Sequence, residues 1–131
     1  MIAAKDLIEK LSSFFVTRDD IAFAFLFGSW AKERQNPNSD IDVAVYFYSE
    51  NHELEVEDDV FFDEEDAVWA DVDRISGVET DLLVLNRAPV RVGYTAITEG
   101  VSLCISDKAL FWKYVLTAGR LFEEYAEFTE S

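Results

Sequence analysis

Residues Ala22–Phe47 read AFAFLFGSWAKERQNPNSDIDVAVYF, two apolar runs of strand length joined through a Gly-Ser turn and a polar loop. Ile21 to Phe27 is continuously apolar, the pattern of a buried central strand, and Gly28-Ser29 breaks it. The second run, Ile41 to Phe47, carries Asp40 at its mouth and Asp42 inside it. Strand side chains alternate, so Asp40 and Asp42 share one face while Ile41 and Val43 take the other. Two neighbouring carboxylates raise each other's pKa and are costly to desolvate unpaired, so the pair calls for a cation. Magnesium suits it best, because it accepts one or two carboxylates and fills its octahedron with water and phosphate oxygens.

Phosphates have a matching place. Gly28 lets the backbone turn sharply and approach a ligand, and Ser29 stands where a helix can begin, offering a hydroxyl and free amides. Lys32 and Arg34 are the nearest basic residues and can neutralise a triphosphate, or serve only as solvent-facing charges. A third carboxylate, Asp81, opens the run Val78–Leu85, with Glu79 two residues earlier on the same face. If that strand pairs beside Ile41–Phe47, Asp81 joins Asp40 and Asp42, and three carboxylates can hold two metals for phosphoryl or nucleotidyl transfer.

The runs GSWAKERQNPNSDIDVAV and TDLLVLNRAPVRVGYTAITEGVSLC resemble the minimal nucleotidyltransferases (MNT) of the DNA polymerase β superfamily, over about Ile21 to Cys104. The resemblance implies the fold of that superfamily, α/β in the α+β sense, with a small mixed sheet flanked by helices. It implies Gly28 and Ser29 on the triphosphate of ATP, and Asp40, Asp42 and Asp81 as catalytic carboxylates and magnesium ligands. Asp81 would also help to activate the attacking hydroxyl. The chain departs from the family at Glu33, where glycine is common, and at Trp30, where a basic or small residue is common.

Stand-alone MNT proteins imply an antitoxin that adenylylates a tyrosine of a HEPN-domain ribonuclease toxin, using ATP and magnesium, as two ions in the family pattern. An aminoglycoside-like small-molecule acceptor and an antitoxin that only binds its toxin are the alternatives. Magnesium-dependent release of pyrophosphate separates turnover from mere binding.

Length and composition agree with a single domain over residues 1–131: half the residues are apolar and nineteen are aromatic. The one cysteine, Cys104, cannot form an internal disulfide and reads as core in a reducing compartment. A nucleophilic role would need a base, and the only histidine, His52, lies in an acidic segment. No signal peptide or membrane span is expected at the N-terminus or elsewhere, so the expected location is the cytoplasm.

The formal charge is −16, and Glu50 to Asp73 holds twelve of the 27 acids and no lysine or arginine. The remaining fifteen acids face eleven bases, so the excess is local and points to a partner-facing or solvated segment, with salt adaptation, which would spread acids over the whole surface, as the alternative. Polynucleotides should be repelled, which disfavours a polymerase role.

Helical spacing of Leu7, Ile8, Leu11, Phe14 and Phe15 predicts a packing helix over Ala3–Val16. A short helix is expected over Ser29–Glu33 and a loop over Arg34–Ser39, with Asn36-Pro37-Asn38. Tyr48–Asp59 reads as a flexible or partner-dependent connection, within an acidic segment of about 49–73. A helix capped by Asp63 and ended by Gly77 then buries Val68, Val72 and Ile75. Pro89 is expected at the first position of a helix that carries Val90, Tyr94 and Ile97, followed by a strand at Val101–Ile105. Ser106-Asp107 opens a last helix, at about 106–128, with a wide apolar surface.

Overall fold

The computed structural model describes residues 3–36 and 39–130, so Pro37 and Asn38 of the expected loop lie outside the described residues. The first helix, α1 (Ala4–Val16), buries Leu7, Leu11 and Phe15. A turn leads into β1 (Ile21–Phe27), followed at once by the one-turn helix α2 (Gly28–Ala31). Then come β2 (Ile41–Phe47), α3 (Glu65–Ser76), β3 (Thr80–Val84), α4 (Val90–Glu99), β4 (Val101–Ile105) and α5 (Lys108–Glu130).

The strands make one mixed sheet in the order β3-β2-β1-β4. Strand β1 is antiparallel to β2 and β4, and β2 is parallel to β3. This is the mixed sheet with flanking helices that the sequence predicts. Alternation sends Ile41, Val43, Val45 and Phe47 toward Leu7, Leu11, Val68 and Val72 of α1 and α3. Ala44 and Tyr46 face the other way, toward Ala96, Ile97, Leu110 and Tyr114 of α4 and α5. Both faces are covered, which is why β1, and β2 beyond Asp42, read as unbroken apolar runs rather than as alternating ones.

Aromatic side chains fill the α4–α5 side. Phe23 stacks on Tyr46 with ring centroids 4.8 Å apart and meets Phe111 edge-on at 5.2 Å. Helix α5 buries Leu110, Tyr114 and Ala118 there and leaves Trp112, Leu116 and Tyr125 exposed. Cys104 is buried on β4 beside the Ser106 hydroxyl, as expected of a core thiol. Among the described residues no helix is long and apolar enough to cross a membrane.

Tyr114 is wholly buried and its hydroxyl sits against α4 where Gly93 leaves room. A Cβ at Gly93 would collide with that hydroxyl. Gly93→Ala is therefore expected to cost about 1–3 kcal/mol by overpacking, and less when Tyr114→Phe removes the oxygen. Chemical denaturation of the two single variants and the double variant measures the difference.

Three expectations are corrected. Tyr48–Asp59 is no loose connection: Leu54 and Val56 pack on the α4–α5 core, and the acids tie backbone groups. The Tyr46 hydroxyl accepts from the Glu55 amide at 2.6 Å and donates to its carbonyl at 3.2 Å. Buried Asn86 donates to Glu55 and meets both backbone groups of Phe47, extending the ladder where β3 has ended. The Glu57 carboxylate caps α4 by accepting from the Val90 amide at 2.8 Å.

Asp63 does not cap α3, which begins at Glu65 after Glu64 in the cap position. Glu65 instead accepts from the Phe62 amide and forms a two-pronged pair with Arg87, both contacts at 2.7 Å. Pro89 is the N-cap of α4 rather than its first residue, because its ψ of 138° is extended. Gly77 does end α3, in the left-handed conformation, and Asp107 caps α5 by accepting from the Leu110 amide.

Candidate active site

The register brings the motif residues to one end of the sheet. Phe27, last in β1, lies opposite Asp42 on β2, and Asp42 lies beside Asp81 on parallel β3. The pairing on which Asp81's role depended is thus present. Both carboxylates lie on the α4–α5 side, since the alternate residues Ile41, Val43, Leu82 and Val84 belong to the other core. Asp42 is half-buried beside Asp81, whereas Asp40 stands exposed at the mouth of β2.

Burial first, then the charges of Asp81 and Asp40, push the Asp42 carboxyl from its ordinary value up to about 6. The acid pair therefore lacks a counter-charge. Among the described residues no three His, Cys, Asp or Glu side chains are gathered closely enough to hold a metal ion. The Asp42–Asp81 pair is the tight unit, with Asp40 outside it.

Gly28 closes the site from the β1 side. Its φ of +72° is left-handed, and a Cβ there would run into the Asp42 carboxylate. Glycine is thus required twice, by the turn and by the close approach. Helix α2 starts at Gly28 rather than Ser29 and ends at Ala31, shorter than expected. Its first amides have no acceptor within the helix and are available to a ligand.

The two family departures have structural accounts. Trp30 is buried in the α1–α3 core, and its indole N–H reaches the Ser39 carbonyl at 3.4 Å. It braces the turn to the approach of Asp40, a role for which a large apolar residue just after Gly-Ser is the only sequence signal. Glu33 holds φ +55°, the left-handed region, which explains why glycine is common there in the resembling family. Glu33→Gly is expected to stabilise the fold by about 0.5–1 kcal/mol, read as a higher melting temperature.

Lys32 and Gly28 line a cleft of about 220 Å³ between α2 and α4, together with Arg91, Thr95 and Glu99. Lys32 is exposed and pairs with Glu99 at 3.7 Å. Arg34 is exposed on the connection to β2, outside that cleft. Glu79 precedes β3, and its carbonyl accepts from the Ile41 amide. A larger cavity, about 880 Å³, lies at the opposite ends of β1 and β2 beside Asp20, Tyr48 and Phe62. It contains none of the motif residues. His52 borders it and stacks on Tyr48.

Residues 9–109 match the family model described as polymerase beta, nucleotidyltransferase. No curated protein sequence matches the chain. Solved structures share the fold along nearly its whole length. A crystal structure of a toxin–antitoxin with AMP-PNP is 17% identical, with a TM-score of 0.70, covering 98% of this chain and 94% of that one. A complex of tri-AMPylated Shewanella oneidensis HEPN toxin with MNT antitoxin is 14% identical, with a TM-score of 0.67 and coverages of 97% and 92%. The toxin–antitoxin MntA–HepT is 16% identical, with a TM-score of 0.62 and coverages of 98% and 91%.

Proposed function

The chain belongs to the polymerase beta nucleotidyltransferase family, and on that premise we propose that it transfers AMP from ATP to a hydroxyl acceptor, as the antitoxin of a HEPN toxin. The acceptor in this reading is a tyrosine of the toxin. One observation carries the chemistry: a glycine turn pressed on an uncompensated Asp42–Asp81 pair, at the end of the sheet where α2 begins. The likeness to a complex of MNT antitoxin with tri-AMPylated HEPN toxin supports the choice of acceptor.

The donor set fits magnesium. Asp42 and Asp81 offer hard oxygens whose mutual repulsion a cation relieves, and two carboxylates with water and phosphate oxygens satisfy its octahedron. Those two residues would hold one ion, and Asp40 is the ligand that a second would call for. Bound there, magnesium supplies positive charge to the reacting phosphates.

The chain's own groups do the rest. Ser29 and the first amides of α2 hold the leaving phosphates, and Gly28 lets them come close to the acids. Asp81, exposed at the start of β3, orients the acceptor hydroxyl and takes its proton. The hydroxyl oxygen then bonds to the α-phosphorus, and the bond to the bridging oxygen breaks to release pyrophosphate. The reaction is mainly positioning, and one domain suffices for it.

The test is intact mass of this chain and a co-expressed HEPN protein after incubation with magnesium and ATP. Mass gains of adenylyl units on the partner, lost in Asp42→Asn, are the expected result. A stable complex without mass change would instead make the protein a binding-only antitoxin. Modification of an aminoglycoside but not of the partner would reassign the acceptor.

A further inference from the structure

We propose that Arg91, on α4, is a further nucleotide-binding residue that grips the polyphosphate of the substrate in the cleft beside Gly28. This rests on the nucleotidyl-transfer reading and adds a contact to it. Gly28 both lines the cleft and lies against the Asp42 carboxylate, so the cleft adjoins the acid pair. It opens on the α4 side of the sheet, the side to which Asp42 and Asp81 belong. Its volume of about 220 Å³ is below the roughly 300–1,000 Å³ of whole-ligand pockets. It is sized for the charged tail of a nucleotide, with the base outside.

Charge selects the ligand. A triphosphate brought to a chain of net charge −16, beside three carboxylates, needs local cations. Arg18 and Arg87 are committed to Asp20 and Glu65, and Arg74 lies on α3 beside Asp71, outside the cleft. The cations that line the cleft are Lys32 and Arg91. Each is held weakly: Lys32 by Glu99 at 3.7 Å, and Arg91 by the Tyr125 ring at 5.7 Å and its hydroxyl at 3.5 Å. Exposed contacts of this kind contribute little, so both side chains are free to turn to an anion. The guanidinium fork matches two phosphate oxygens at once, which an ammonium cannot do. Glu99 opposes binding by holding Lys32.

Titration calorimetry of the full chain with magnesium and ATP, pyrophosphate or AMP tests the assignment, with circular dichroism as the folding control. Arg91→Ala is expected to weaken ATP and pyrophosphate about tenfold and to leave AMP unchanged, with Arg91→Lys in between. Glu99→Gln is expected to tighten ATP severalfold. A residue that merely ties α4 to α5 would lower the melting temperature and move none of these constants. ATP bound by Arg91→Ala as tightly as by the unaltered chain would overturn the assignment and leave the transferase reading standing. Equal weakening of AMP would overturn it too. No binding of ATP by the unaltered protein would remove both.

Discussion

Asp42→Asn is expected to cut nucleotidyl transfer by ~10²-fold or more and yet to yield a more stable protein at neutral pH. Burial and the neighbouring carboxylates raise the Asp42 carboxyl to about 6 in the fold, whereas an unfolded chain titrates it near ~4. Between those values the folded state keeps a proton that the unfolded state has released. Stability is therefore present below the window, falls as pH rises through it, and stays lost above it. Two pKa units amount to about 3 kcal/mol at full weight; partial exposure of the carboxylate reduces this to about 1 kcal/mol. Asparagine removes the charge and can donate to Asp81.

Urea unfolding without divalent ions at pH 7.5 and pH 5 should show the variant ahead at the higher pH, by less at the lower. The lower value is kept above the pI of about 4.2 to avoid precipitation. Magnesium should then stabilise the unaltered protein and not the variant. Equal stabilities at pH 7.5 would remove the account of Asp42 as an uncompensated acid. Undiminished transfer by the folded variant would remove its assignment as a metal ligand.

Gly28→Ala should lose transfer to a similar extent but with the opposite effect on stability. A side chain at φ +72° costs about 1 kcal/mol, and its Cβ must also displace the Asp42 carboxylate. Together these should lower stability by about 2 kcal/mol. Asp42→Ala clears the colliding oxygens, so in that background the same substitution should cost only the backbone strain. A coupling of about 1 kcal/mol between the two positions is the expected reading of a double-mutant cycle. Strict additivity would mean that turn and acid do not touch.

Much of the site was legible because strand chemistry is local. The apolar runs at Ile21–Phe27 and Ile41–Phe47, the break at Gly28 and the alternation at Asp40 and Asp42 each depend on adjacent residues. The fate of the acidic segment was not legible. Its order rests on Tyr46 and Asn86, nine and 31 residues from Glu55, and no local pattern announces that a carboxylate will cap a helix 33 residues away. The place of Trp30 was not legible for a similar reason: in sequence it is only a departure from the resembling family, whereas the fold carries it into the core.

By itself, then, the sequence determined which segments are strands, where the chain turns, and that Asp40 and Asp42 stand at the start of a strand behind a Gly-Ser turn, because backbone sterics and side-chain alternation act within a few residues. Only the tertiary structure decided that Asp81 lies beside Asp42, that Gly28 is needed for the acid as well as for the turn, and that Arg91 shares a cleft with Lys32. Those facts depend on the parallel pairing of β2 with β3, on the antiparallel pairing of β1 with β2 and on the seating of α4 against the sheet. Such long-range contacts are set by burial of the two cores and leave no mark at the residues they bring together.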